Sequence, residues 1–340
     1  MTEFTKPEGA ELVAVLDIGG TKIAGALVAY SENGDPRIVF KKSVPTEPRR
    51  GGDAVLQTVV ETARTLIDLA GGADEIVGVG VDAAGVVNPK DGSILYANDI
   101  MPGWTGQPLQ ARLEQEFGIT VAALGDVHAH ALGEARWGIA KGYDSCLMVG
   151  VGTGLGGALV VNGHVLRGFH GAAGHIGHTL HPAAAGIPCA CGRDSHAETV
   201  TSGMGLSAIY QGKGFSDELD PALMGDTISA RAEAGEEHAR TVLRDAGFAL
   251  GQAIGSWCNL FDPACVVLSG TVTSAYASWR EGLDEGIKAQ IMTPLADTPI
   301  IQGKLEGNAP LIGAAEHLRD AVIEQARQAT LGKRTPKHSS

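Results

Sequence analysis

Aromatic residues are scarce in this chain of 340 residues, at 5% of positions, so its core must be aliphatic. Hydrophobic residues at 44% and 48 glycines supply what close-packed α/β layers joined by tight turns require. Positive charge is in deficit: 26 Lys and Arg against 39 Asp and Glu leave a formal charge of −13. That argues against a nucleic-acid surface, which needs a basic stripe to displace counterions. It leaves nucleotide binding open, because glycine loops hold phosphate through backbone N–H groups. No run approaches the ~20 apolar residues of a membrane helix, and the opening MTEFTKPEGAEL has no apolar signal core. Five cysteines, at 146, 189, 191, 258 and 265, are too few and too oddly placed for a disulfide framework. The expectation is a cytoplasmic protein with neither a membrane nor a nucleic-acid partner.

What is present is an opening that occurs twice. LVAVLDIGGTKIAGALVAYSENGDPRIVFKKSV reads as strand, Gly-rich turn, strand, Asn-Gly turn, strand, and SCLMVGVGTGLGGALVVNGHVLRG repeats that order. Asn33-Gly34 and Asn162-Gly163 are hairpin signals, since the favoured two-residue turn needs positive φ at both positions. Val55, Val59, Ala63, Leu66 and Ala70 keep helical spacing, and EIVGVGV (75–81) reads as a buried strand. The pattern predicts a strand over 120–124, helices near 128–139, 236–260 and 311–328, and a strand over 265–268. Two βββαβα-like halves with facing glycine turns make two lobes around a cleft. Residues 11–140 form the first lobe and 141–331 the second, with the last helix able to pack back on the first. The ends, residues 1–10 and the tail beyond about Leu331, are polar and expected to fray.

Asp17-Ile18-Gly19-Gly20-Thr21-Lys22 occupies the first hairpin turn, where glycines let backbone approach a phosphate and Asp17 can hold Mg²⁺ through water. Alone it also fits an ordinary Gly-rich turn capped by an Asp. In the second loop, residues 150–157, Gly152, Gly154 and Gly157 satisfy G-x-G-x-x-G, but ALVVNGHVL follows where a dinucleotide fold needs a helix. No P-loop sequence occurs either. A pair of phosphate hairpins remains, with Gly152, Thr153 and Gly154 opposite Gly19–Lys22.

LDIGGTK, GVGTGLGG, GAAGHIGH, CACGRDSHAE and APLIGAA, in that order over residues 12–325, resemble the ROK family of sugar kinases and related repressors. The resemblance implies a two-lobed actin-like ATPase fold of the ribonuclease H-like type, MgATP as donor and frequent homodimers. The repressors carry a DNA-binding domain ahead of the first motif; the eleven residues before Leu12-Val13 point instead to the kinase branch.

Transfer of a phosphoryl group to an alcohol needs a carboxylate to take the hydroxyl proton. Asp126, at the end of a predicted strand, is well placed, although an Asp there also suits a helix N-cap. The family's Asn-Asp-x-Asn-Ala pattern aligns its catalytic Asp with Asp126. Gly125 replaces the Asn that meets the sugar 3- and 4-hydroxyls, and His128 replaces the second Asn. His175 stands where the family has a Glu near O3, while Glu198 aligns with the acid near the anomeric hydroxyl. Ala84, Gly85 and Asn98 align with sugar-contacting loops. Gly270, within SGTV (269–272), stands at the adenosine-contacting turn. Asp82 is an added carboxylate, suited to a cationic or hydroxyl group or to a solvated turn.

Cys189, Cys191 and two imidazoles at short spacing select Zn²⁺ in a closed tetrahedral site. The family uses one His and three Cys; here His178 keeps its place and His196 stands for the third Cys. His170, His175 and His181 are rival ligands, and a loop with two free thiols is the alternative. A structural zinc would fix the loop bearing His178 and Glu198. These readings predict an ATP- and Mg²⁺-dependent kinase acting on the 6-hydroxyl of a hexose-like ring. The changes at 125 and 175 favour a 3-modified sugar such as kanosamine; glucose and a C7-cyclitol are alternatives, as is polyphosphate as donor. A sugar sensor without activity and a metal-dependent hydrolase are the readings from other classes.

Overall fold

A computed structural model describes residues 6–98, 100–215, 217–270 and 277–332. The chain divides into two compact units, the first comprising residues 1–133, 167–172 and 307–340 and the second 134–166 and 173–306. The division thus falls within a helix, ahead of the 140/141 boundary expected from the sequence, and the last helix counts with the first unit. Continuous helical hydrogen bonding gives no composition break at that point for a sequence reading to find.

In the first unit, β1 (Glu11–Ile18), β2 (Lys22–Tyr30) and β3 (Pro36–Pro45) form an antiparallel meander. β4 (Val79–Ala83) and β7 (Val121–Gly125) extend it in parallel, giving the order β3-β2-β1-β4-β7. Between them, β5 (Val86–Val87) pairs with β6 (Ile94–Tyr96). Alternation along β1 divides the core. Leu12, Ala14 and Leu16 pack with Val55, Val59, Ala63 and Leu66 of α1 (Gly52–Ala70) and Leu113 of α2 (Leu109–Phe117). Val13 and Val15 face Leu311, Ala314 and Leu318 of α9 (Ala309–Gly332). Burying a Leu such as Leu311 or Leu318 is worth about 1.5–3 kcal/mol. α3 (Asp126–Trp137) meets α9 at glycines: a Cβ on Gly133 would strike the Ala309 carbonyl, and one on Gly313 that of Ala129.

The second unit repeats the plan. β8 (Ser145–Val151), β9 (Leu155–Val161) and β10 (His164–Val165) are antiparallel, and β11 (Cys265–Ser269) and β12 (Ile300–Gln302) continue in parallel from β8. Asn162 (φ 50°) and Gly163 (φ 73°) both take the left-handed turn their dipeptide announces. Helices α4 (Glu198–Thr201), α5 (Gly203–Gln211), α6 (Gly225–Glu233), α7 (Glu237–Phe261) and α8 (Ala277–Gln290) follow. α7 and α8 lie at backbone contact. Gly247 and Gly251 of α7 face the carbonyls of Trp279 and Leu283, while Gly282 and Gly286 of α8 face those of Arg244 and Phe248. Any side chain at these four positions would push the helices apart. Among the described residues no helix is long and apolar enough to cross a membrane.

Candidate active site

Parallel pairing brings carboxylates together at strand ends in the first unit. Asp17 on β1 lies opposite Asp82 on β4, and Asp82 lies opposite Leu124 on β7, two residues before Asp126. Asp126 opens α3 and accepts the Val127 N–H on its own Oδ1 at 2.8 Å. Burial pushes its carboxyl up to about 6; the Val127 N–H opposes this and the Asp17 charge adds to it. A carboxylate so raised has the proton affinity a general base needs near neutral pH. Burial also raises Asp17, against a hydrogen bond with Asp82 and the charges of Lys22 and Lys41. Asp82 is wholly buried within β4, so its reading as a solvated turn residue is corrected. Burial, then the charges of Asp17 and Asp126, drive its carboxyl far above the usual range.

The first glycine turn is tight. Gly19 N–H donates to the Lys22 carbonyl at 3.0 Å, and the Thr46 hydroxyl donates to the Gly19 carbonyl at 2.6 Å. A Cβ on Gly20 would meet the Ile100 side chain at 3.0 Å, so small size rather than positive φ is what these positions use. Thr21 is tied by its carbonyl to Thr46 N–H at 3.0 Å. The Ala84 N–H donates to the Ile18 carbonyl, and the Ala84 carbonyl accepts from the Trp104 indole at 3.3 Å. Gly85 takes φ 99° with its Cα against the Tyr96 carbonyl. Asn98 is exposed and its Oδ1 caps the Ile100 N–H at 3.2 Å. Gly125 leaves room that His128 fills: a Cβ there would lie 3.2 Å from His128 Nδ1 and 3.7 Å from the Gly85 carbonyl.

In the second unit, the loop between β8 and β9 rests on the start of α5. Gly203 N–H donates to Gly152 O at 2.9 Å and Met204 N–H to Thr153 O at 3.2 Å. Gly154 sits against Glu198, whose Oε2 accepts the Leu155 N–H at 2.9 Å. Glu198 therefore clamps the glycine loop between β8 and β9. Gly152, Thr153, Gly203, Met204, Pro221, Met224, Gly225, Asp226 and Thr227 line a cavity of ≈ 330 Å³. Only its first two residues were legible in sequence; the rest come from helices that folding alone brings to the loop. Gly270 (φ 104°) backs onto Val151 at the end of β8. The SGTV reading continues into residues 271–272, which lie outside the described residues.

His178, Cys189, Cys191 and His196 offer one ligand atom each, all within 4.8 Å of one another. His178 Nδ1 is 3.3 Å from His196 Nδ1 and 3.8 Å from Cys189 Sγ, and Cys191 Sγ is 3.3 Å from His196 Nδ1. Tetrahedral zinc with ordinary bond lengths would space nitrogens roughly 3.3 Å apart and nitrogen from sulfur roughly 3.5 Å. The donor set fits that ion. Ser195 at φ 64° turns the chain so that His196 pairs with Leu180. Of the rivals, His181 is buried and caps Ala183 N–H at 3.2 Å, and exposed His175 stacks on His178 with centroids 6.2 Å apart. His170 belongs to the first unit and packs edge-on to Phe169.

The ROK family model matches residues 13–321. The glucokinase of Halalkalibacterium halodurans is 29% identical over 293 residues, which cover 83% of this chain and 87% of that protein. An N-acetylmannosamine kinase of Shigella boydii is 31% identical over 310 residues, covering 88% and 96%. A solved ROK family glucokinase from Streptomyces griseus, in complex with glucose and AMPPNP, superposes with a TM-score of 0.71 at 26% identity, covering 91% of this chain and 99% of that one.

Proposed function

The chain belongs to the ROK family, and we propose that it is an ATP-dependent hexose kinase transferring the γ-phosphoryl group to the 6-hydroxyl with Asp126 as base. Its fold is the α/β actin-like ATPase fold of its structural neighbours, and its class is that of sugar phosphotransferases. The observation that carries the mechanism is Asp126 itself, at a strand end, with its carboxyl pushed up to about 6. That carboxylate takes the acceptor proton as the phosphoryl group arrives. Gly19, Gly20 and Thr21 with Lys22, and Gly152 to Gly154, would hold the phosphates through backbone N–H groups and one ammonium. The cavity beside Thr153 and Met204 suits the nucleoside end of ATP. Mg²⁺ bound with ATP would neutralise charge on the phosphates, near Asp17. Zinc on His178, Cys189, Cys191 and His196 would be structural, because four protein ligands leave no position for water.

Glucose fits the relatives as well as any other sugar, and they give kanosamine no support. A 3-modified acceptor rests on Gly125 and His175 alone. Asp126→Asn separates the kinase from a non-catalytic sensor: a kinase loses turnover at least ~100-fold and still binds sugar by calorimetry. Unchanged turnover would remove Asp126 from the mechanism.

A further inference from the structure

Lys41 of β3 has no part in the scheme above. Its ammonium donates to the Gly307 carbonyl at 3.0 Å and to Asn308 Oδ1 at 2.9 Å, immediately ahead of α9. Strand pairing fixes its face. Lys41 pairs with Ala26 and Ala26 with Val15, so all three point to the side on which Val15 meets α9. Alternation along β1 and β2 puts Asp17 and Lys22 on that same face. Between Lys22 and Lys41 this face of β2 carries only Ala24 and Ala26, so no bulky side chain keeps the charges apart. Both ammonium groups bear on the Asp17 carboxylate. Partial burial and then the Lys22 charge pull the Lys41 ammonium below the ordinary lysine value, against Asp17. A tie between β3 and the start of α9 asks for a hydrogen-bond donor, not for a second cation set against Lys22. An ammonium also has three donors, and the bonds to Gly307 and Asn308 use two of them. Two cations gathered on one face beside a glycine turn suit an anion that carries several charges.

On the reading of Gly19 to Lys22 as the phosphate turn of a kinase, we propose that Lys41 is a second phosphate-holding residue, its ammonium acting with that of Lys22 on the phosphate chain of the donor. The Gly307 carbonyl and Asn308 hold the ammonium in place before the donor arrives, so little side-chain freedom is lost on binding. The anion in turn relieves the repulsion between the two lysines. A phosphate chain is common to a nucleoside triphosphate and to inorganic polyphosphate, and an ammonium in this position serves either.

The experiment measures binding of AMPPNP with Mg²⁺, and separately of inorganic tripolyphosphate, to the full chain by calorimetry in the absence of sugar. The native protein is compared with Lys41→Met and Lys41→Gln. Glutamine keeps a donor for Gly307 and Asn308 without the charge, so it stands in should methionine not fold. The expected result is affinity lowered at least ~10-fold in both variants for whichever phosphate chain the native protein binds, the loss of a charge-assisted hydrogen bond. Which of the two the native protein binds tells a nucleoside triphosphate from inorganic polyphosphate. Adenosine, which has no phosphate, should bind the native chain and the variants alike. A folded Lys41→Gln protein that binds the phosphate chain as tightly as the native one overturns the proposal and leaves Lys41 a tie between β3 and α9. An equal loss of adenosine affinity, or a native chain that binds neither phosphate chain, overturns it too. No arm depends on phosphoryl transfer, so the kinase reading is tested separately by product formation.

Discussion

A Cβ on Gly125 would lie 3.2 Å from Nδ1 of His128, so the space beyond the last residue of β7 belongs to an imidazole three residues along the chain. The buried His128 ring and the missing side chain at 125 are one packing solution. Gly125→Asn alone should then cost about 1–3 kcal/mol through overpacking. Gly125→Asn with His128→Asn should recover most of it. Chemical denaturation of the four proteins of the cycle gives the coupling, expected above about 1 kcal/mol; additive effects would refute a shared space.

Asp126 carries a cost in stability as well as a function. Its carboxyl is raised from 3.8 to about 6, so ionising it in the folded state costs on the order of 3 kcal/mol. Because the folded value lies above the unfolded one, the native protein loses stability as pH rises from about 4 to about 6. Asp126→Asn should therefore melt higher than the native chain at pH 8, with the gain vanishing by pH 4. The same ionisation predicts that kcat/KM falls with acid below about pH 6.

The metal cluster gives a prediction about ligand identity. His196→Cys should retain one zinc per chain, since thiolate and imidazole both suit tetrahedral zinc. His196→Ala should lower zinc affinity more than ~10-fold and reduce the melting temperature. Metal content by mass spectrometry and thermal unfolding check both. If His196→Ala kept its zinc, another residue would have to be the fourth ligand.

Gly251 probes the joint between α7 and α8. Alanine there gains about 1 kcal/mol of helix propensity, yet its Cβ would strike the Leu283 carbonyl. The clash should win, destabilising the protein by roughly 1–3 kcal/mol in urea unfolding.

The sequence made visible what depends on local rules. Asn162-Gly163 takes the two positive φ values of its turn, and Asp126 stands where strand pattern gives way to helix. Asn33-Gly34 follows the rule halfway: Gly34 has φ 81°, but the loop is wider, with Ser31 bonded to both Gly34 and Asp35. The strand read over 75–81 begins at Val79 because Ala73–Glu75 forms a 3-10 turn ahead of it. Gly247 and Gly251 lie in the helix expected over 236–260, whereas α8, which carries Gly282 and Gly286, is not announced by the sequence pattern, and nothing local says that the two helices will meet through glycines. Asp82 looked equally at home in water. Only strand pairing, a long-range choice, buries it beside Asp17.

Hexose kinase activity is tested by incubating the purified chain with ATP, Mg²⁺ and a hexose panel that includes glucose, N-acetylmannosamine and a 3-amino-3-deoxyglucose. ADP release and phosphorus NMR of the product report the outcome. The expected result is ADP formation dependent on at least one of these sugars, with the phosphate on the 6-hydroxyl. Phosphate at any other position, or no sugar-dependent ADP across the panel, would contradict it.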